Sequence, residues 1–168
     1  MNIALLTSCR KIGQTFAQLG GHLGKEGPRH DFWKKCASST NPIDLAAEVR
    51  GKIMGSSLVV VGIGSEDPVN TMRTLVTASR SHQCVVLMTF EGYHVFIDFW
   101  KEMTPTERSI FESRIVGLVL VGDREECFIS VAEFAPRADI RHIGGLQWAP
   151  TTCDEIAAFI RKTMPKAA

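Results

Sequence analysis

The sequence predicts an α/β fold in which helices cover both faces of a parallel β-sheet. Three observations predict this class. Short runs such as 58–63 and 84–88 are apolar at every position, which indicates strands that are buried on both faces. Segments with apolar side chains at helical spacing lie between these runs. Helix start signals such as Asn41-Pro42 open several of those segments, so strands and helices alternate, as they do in a doubly wound sheet.

The first part of the chain begins with a strand and ends with a well-signalled helix. Residues 3–7 predict a short buried strand, and the polar, glycine-containing stretch 8–15 predicts a loop. Helical spacing follows over 15–25, although two adjacent glycines weaken it. The pattern leaves open whether 31–36 is a strand. The next helix, 43–54, has an apolar stripe and begins after an asparagine and a proline that are typical of a helix N-terminus.

The centre of the chain repeats the strand–helix alternation. The strand predicted at 58–63 is followed by a helix that begins at Pro68 and extends to about Ser81. A second fully apolar strand is predicted at 84–88, and Phe90–Tyr93 is predicted as a loop.

The last part of the chain completes a three-layer arrangement of about five parallel strands. A helical stretch covers 94–114 and is expected to break near Pro105, where Thr104-Pro105-Thr106-Glu107 is typical of a new helix start. A buried strand is predicted at 115–121. Two further edge strands are possible at 127–134 and 140–143, and a last helix begins near Pro150.

Length and charge are those of an ordinary globular domain. The chain has 168 residues with 19 basic and 18 acidic side chains, and its net charge is +1. We expect a single domain over residues 1–168, because this length suits one hydrophobic core. A protein that binds the phosphate backbone of nucleic acids needs a basic surplus or a basic face, so we expect no nucleic-acid partner.

The sequence shows no signal for a membrane, for export or for a metal. Its apolar runs are shorter than the ~18 residues that a membrane span needs, and the N-terminus lacks the features of a secretory signal. We therefore expect no membrane association and a cytoplasmic location. The five cysteines form no CxxC pair, which predicts free thiols and no metal site.

Ligands of a doubly wound sheet bind beyond the carboxyl ends of the strands, so the loops at 7–15, 62–70, 89–94 and 122–126 are the candidates. The first of these loops is the most informative. Its hydroxyls and its basic residues Arg10 and Lys11, placed before a helix N-terminus, are suited to a phosphate group. The alternative is that Ser8 and Thr15 only cap the first helix.

The spacing Ser8-x-Arg10-x-x-Gly13-x-Thr15 after the first strand resembles the phosphate loop of flavodoxin-like proteins. It is most similar to the NAD(P)H-dependent FMN reductase branch of that superfamily. The resemblance implies an FMN-dependent oxidoreductase, or at least a protein that binds a flavin or another phosphate-containing nucleotide. It implies that Ser8, Arg10, Gly13 and Thr15 bind the phosphate.

The other two loops match this family only in part. The third loop offers Phe90 and Tyr93, which the resemblance places against the flavin ring. The second loop lacks the aromatic residue that is usual there, although Ser65 remains a candidate ligand contact. Glu66 and Asp67 follow it directly, and both would lie near a bound anion.

A second resemblance is to nucleoside 2-deoxyribosyltransferases and related nucleotide-cleaving proteins with a Rossmann-like fold. Those families place a catalytic glutamate in the helix that corresponds to 68–80, and this chain has no acidic residue there. Glu66 and Asp67, just before that helix, are weak catalytic candidates. His94 is a third candidate, because Asp98 follows it at helical spacing and Glu91 is close in sequence.

A non-catalytic role is the remaining alternative. The stretch 94–114 is rich in aromatic residues and methionine, which are enriched in the cores of protein interfaces. Most of these side chains are expected in the core of the domain. The rest could form a face through which the protein makes a homo-oligomer or binds another protein.

Overall fold

The computed structural model describes residues 3–14, 33–121, 139–143 and 150–163. Its centre is a six-stranded parallel sheet with the strand order β2-β1-β3-β4-β5-β6. The strands are β1 (Ile3–Thr7), β2 (Trp33–Lys34), β3 (Leu58–Ile63), β4 (Cys84–Met88), β5 (Ile115–Val121) and β6 (Asp139–Ile143).

Within the described ranges, five helices and one further helical segment surround the sheet. The helices are α1 (Pro42–Ile53), α2 (Pro68–Ala78), α3 (Phe90–Glu102), α4 (Pro105–Arg114) and α5 (Pro150–Thr163). Residues 10–14 are also helical. Within the described ranges, every helix is too short or too polar to cross a membrane.

The side chains of the sheet divide between two hydrophobic clusters, one on each face. On one face Val59 and Val61 belong to a cluster that contains residues of α1, α2, α3 and α4. On the other face Val60 packs with Ile12 and with Phe159 of α5. Helices therefore cover both faces, and the predicted three-layer α/β arrangement around a parallel sheet is confirmed.

The sheet has one strand more than the five or so that were predicted. The uncertain stretch 31–36 contains the two-residue strand β2, which pairs with β1. The possible strand at 140–143 is β6, which is parallel to β5. The possible strand at 127–134 and the helix predicted at 15–25 lie outside the described residues.

The predicted helix starts are mostly confirmed. The side chain of Asn41 accepts hydrogen bonds from the backbone at the start of α1. The break before Pro105 is also present, because Thr104 and Glu107 form a capping box that begins α4. Gly55 follows α1 with a φ of +78°, a left-handed conformation that glycine adopts without steric cost.

Three predicted boundaries are wrong. The loop predicted at 8–15 is shorter, because residues 10–14 are already helical. Phe90–Tyr93 is the first turn of α3 and not a loop, since Thr89 caps the helix just before it. The helix predicted to reach Ser81 ends at Ala78.

Candidate functional site

The candidate site lies where the strand order of the sheet changes direction. From β1 the chain passes to β2 on one side and then returns to β3 on the other. The loops that leave β1 and β3 therefore diverge, and such a crevice at the carboxyl edge is where open α/β sheets bind ligands. The segments that meet here are residues 8–13, 64–67 and 89–94.

The turn after β1 packs tightly against the end of β3. The buried hydroxyl of Thr7 donates to the carbonyl of Gly62 at 2.8 Å and accepts from the backbone N–H of Cys9 at 3.0 Å. A Cβ atom at Gly62 would lie 2.5 Å from Ile12 Cγ2, and one at Gly64 would lie 2.5 Å from Cys9 Sγ. Glycine at both positions allows this approach of the two segments.

The carboxylate of Glu66 lies at the start of helical residues 10–14. Its Oε1 accepts a hydrogen bond from the backbone N–H of Arg10 at 3.0 Å, in an exposed position. A negative group is favoured here by the unpaired N–H groups and by the helix dipole. The acid in the second loop therefore occupies a position that the sequence assigned to a phosphate.

Other members of the predicted phosphate loop also have protein partners. Arg10 and Gly13 lie in the helical segment, and the N–H of Gly13 donates to the carbonyl of Cys9 at 3.0 Å. Ser8 is half-buried, and its hydroxyl acts to lower the pKa of the Cys36 thiol. Thr15 lies outside the described residues.

A group of hydroxyls surrounds the buried thiol of Cys36. Burial raises the pKa of Cys36, and hydrogen bonds to Thr71, Ser8 and Thr74 partly oppose the rise. The negative charge of Asp67 adds to the rise in the pKa. The thiol is therefore held in its neutral form beside the turn.

The first turn of α3 carries a second carboxylate at this edge of the sheet, that of Glu91. The pKa of Glu91 is lowered, first by a hydrogen bond from its own backbone N–H and then by the hydroxyl of Thr89, which donates to Oε2 at 2.9 Å. The charges of Lys11 and His94 lower the pKa of Glu91 further. The positive charge of Lys11, in the turn after β1, therefore favours the ionised form of Glu91, at the start of α3.

The predicted aromatic contacts form a small cluster at the same edge. Phe90 and Tyr93 are half-buried against the core, and both contact the exposed ring of His94 edge-on, at centroid distances of 4.5 and 5.3 Å. Within the described part of the chain, His94 forms no ion pair with Asp98. The acid–base role of His94 stays a prediction, and of its two expected partners it is Glu91 whose pKa its charge lowers.

Ser65 and Asp67 do not act as helix caps. Both residues are exposed, and Asp67 precedes α2 with no hydrogen bond from its side chain to the helix. Asp67 has a φ of +48°, the one positive φ of a non-glycine residue in the described ranges. Such a conformation is uncommon and is tolerated best by Asn and Asp.

The two acids proposed for glycosidic cleavage, Glu66 and Asp67, lie just before α2, which itself contains no acidic residue. Glu66 is hydrogen-bonded to the Arg10 amide, and the catalytic role of either acid stays a prediction. Among the described residues, no group of three or more His, Cys, Asp or Glu side chains is arranged to hold a metal ion. The cluster of Thr89, Glu91 and Lys11 was missed by the sequence analysis, because Thr89 was not recognised as a helix cap.

Comparison with known proteins finds no matching family model, no similar curated protein and no similar solved structure.

Proposed function

We propose that the protein binds a small phosphate-bearing ligand, of the nucleotide or flavin type, at the carboxyl edge where β1, β3 and β4 end. The hydrogen bond between Glu66 and the Arg10 amide carries this proposal. It supports the view that this exposed N–H donates a hydrogen bond to an oxyanion, and that in the free protein the oxyanion is the chain's own carboxylate. A phosphate would bind by displacing Glu66.

The arrangement of the sheet supports the same location. The order β2-β1-β3-β4-β5 is the flavodoxin-like one, in which the ligand lies at the switch between the first and third strands. The exposed side chains of Arg10 and Lys11 supply positive charge at that point, and Ser65 is exposed on the opposite loop. A phosphate gains charge-assisted hydrogen bonds from such groups.

FMN is the ligand that the sequence resemblance implies, and its phosphate would have to displace Glu66 to bind the turn. The N–H of Arg10 bonds to Glu66, while those of Cys9 and Gly13 bond within the turn. We therefore derive no redox step through a flavin. FMN remains one of the ligands to test, with Phe90 and Tyr93 as the residues nearest to a bound ring in the resemblance.

The experiment is a binding titration with FMN, AMP and inorganic phosphate. Glu66→Ala removes the competing carboxylate, so we expect phosphate-bearing ligands to bind about tenfold more tightly than to the unchanged protein. Glu48→Ala is the matched control, because Glu48 accepts a similar hydrogen bond at 3.0 Å from the backbone N–H of Ser38. The proposal fails if Glu66→Ala binds all three probes no better than Glu48→Ala does.

A protein-interaction domain without a ligand is the second candidate. The observation that favours it is the engagement of three N–H groups of the turn by the protein itself. Much of the aromatic stretch 94–114 is core, since Phe96 and Phe111 are buried, but Ile110 is 50% exposed. Sedimentation analysis tests this candidate: self-association that Ile110→Asp abolishes supports it, and a monomer at all concentrations argues against a homo-oligomer.

A further inference from the structure

A cavity of about 340 Å³ lies in the helical layer, away from the switch between β1 and β3. It is lined by residues of α1 and α2 and by the ends of α3 and α4, with Val76 and Phe99 among its apolar walls. Its volume is in the range of small-molecule sites, ~300–1,000 Å³. None of the residues considered above for phosphate binding lines it.

Two basic and two acidic side chains line this cavity, and one of each is already engaged. Arg73 donates to the carbonyl of Thr40 at 3.0 Å and to the side chain of Asn70 at 3.4 Å. Glu107 accepts at 2.9 Å from the hydroxyl of Thr104 in the capping box. Arg73 thus links α2 to the segment before α1, and Glu107 belongs to the cap of α4.

The other two charges are available to a ligand. Arg80 and Glu102 are exposed, and their side chains have no hydrogen-bond or ion-pair partner among the residues that the structure describes. Arg80 follows the end of α2 and Glu102 is the last residue of α3, so both lie at the same end of the helical layer. The cavity thus presents one cation and one anion on opposite walls.

An apolar recess adjoins this pair of charges. A second cavity of about 250 Å³ extends to Phe111 and Ile110 and shares four residues with the first: Val76, Arg80, Met103 and Glu107. Ile110 is half exposed, so its side chain keeps apolar surface toward solvent. Covering that surface would stabilise a bound apolar group.

We propose that this cavity binds a zwitterionic small molecule of the α-amino-acid type with a large apolar side chain. Arg80 pairs with the carboxylate, for which a guanidinium is well suited. Glu102 accepts hydrogen bonds from the ammonium group, and the apolar side chain lies against Met103 toward Ile110. A dianionic ligand is disfavoured by Glu102 and Glu107, and a dication by Arg73 and Arg80.

The test is a ¹⁹F NMR titration with 4-fluoro-L-phenylalanine. We expect saturable binding to the unchanged protein, and about tenfold weaker binding to Arg80→Gln and to Glu102→Gln, because each loses a charge-assisted hydrogen bond. Arg50→Gln on α1 and Asp98→Asn on α3 are the matched controls, since both residues are exposed and line neither cavity. All four substitutions are on the surface, so the fold is retained.

A second probe distinguishes the contribution of Arg80 to binding from that of Glu102. N-acetyl-4-fluoro-L-phenylalanine lacks the ammonium group, so it should bind more weakly to the unchanged protein and be insensitive to Glu102→Gln while still sensitive to Arg80→Gln. The proposal is overturned if 4-fluoro-L-phenylalanine does not saturate in the millimolar range. It is also overturned if Arg80→Gln and Glu102→Gln bind the probe as the controls do, or if the N-acetyl compound binds as tightly as the free amino acid.

Discussion

The carboxylate of Glu66, which follows β3, accepts a hydrogen bond at 3.0 Å from the backbone N–H of Arg10, which follows β1. The two residues are 56 positions apart in the chain, so the contact exists only because β1 and β3 are neighbours in the sheet. It fills an anion-accepting position with a group from the protein. Under the proposed function, a phosphate-bearing ligand would exchange with this carboxylate.

The packing of α3 against β3 depends on Gly92. A Cβ atom at this position would lie 2.1 Å from the carbonyl oxygen of Ile63, which is backbone and cannot rotate away. We expect Gly92→Ala to lower the free energy of unfolding by about 2 kcal/mol, because α3 must shift from the sheet. Urea denaturation measures the change.

Gly51 is the matched control for that substitution. It lies within α1 and a Cβ atom there would meet no atom within 4 Å. Gly51→Ala should raise the free energy of unfolding by about 0.5–1 kcal/mol, because alanine is the better helix former. Equal effects of the two substitutions would contradict the packing described for Gly92.

The capping box at the start of α4 contributes measurable stability. The hydroxyl of Thr104 accepts from the N–H of Glu107 at 3.2 Å, and Glu107 reaches back to the Thr104 N–H. Thr104→Ala should lower the free energy of unfolding by about 1 kcal/mol. Thr106→Ala, at an exposed position in the same turn, should change it by less than about 0.5 kcal/mol. Similar losses for both variants would argue against the cap.

The thiol of Cys84 is protected by the fold. Burial raises the pKa of Cys84 to about 12, while the positive charge of Arg114 opposes the rise. Iodoacetamide should therefore leave Cys84 unmodified in the native protein and alkylate it in urea, as peptide mass spectrometry can show. Rapid native labelling would contradict its burial.

The same shift makes the stability fall at alkaline pH. The native thiol keeps its proton above the ordinary value of 9.0, where the unfolded thiol loses it. The native state therefore binds more protons in that range, so this contribution is complete below pH 9 and is lost as the pH rises toward about 12. Cys84→Ala should show a smaller alkaline loss than the unchanged protein.

Glu91 should titrate below the ordinary glutamate value of 4.5, because hydrogen bonds from its own N–H and from Thr89 favour the charged form. A lowered pKa stabilises the fold above that value, and the contribution is lost as the pH falls through the native pKa. NMR titration of the carboxyl carbon measures it. Thr89→Val should raise this pKa, and Lys11→Gln should raise it by less; no change in either variant would contradict the contacts of Glu91.

Much of the fold follows from local chemistry in the sequence. The strands β3 and β4 are apolar at every position, which is the pattern expected of a strand covered by helices on both faces. Asn41-Pro42 and Thr104-Pro105 are recognisable as helix starts because the capping bonds join residues two or three positions apart. Such bonds need no tertiary contact to be predicted.

The errors concern positions where tertiary contacts decide the structure. A glycine such as Gly92 is unfavourable in a helix, but the close approach of α3 to Ile63 requires a glycine at this position. Ile12 is fully buried beside Gly62, and this packing favours the helix at residues 10–14. The sequence around Ile12 is polar, so it predicts a loop there. The acids at positions 66 and 67 were expected near an anion site. That Glu66 bonds to the Arg10 amide depends on the pairing of β1 with β3 and is not readable from either loop alone.

The most direct test of the central claim is the ¹H–¹⁵N resonance of the Arg10 amide during a titration with AMP. If a phosphate replaces Glu66, this resonance shifts saturably, with tighter apparent binding in Glu66→Ala, while the Ser38 amide bonded to Glu48 stays in place. An Arg10 resonance that does not move at saturating AMP, in either protein, would contradict the account.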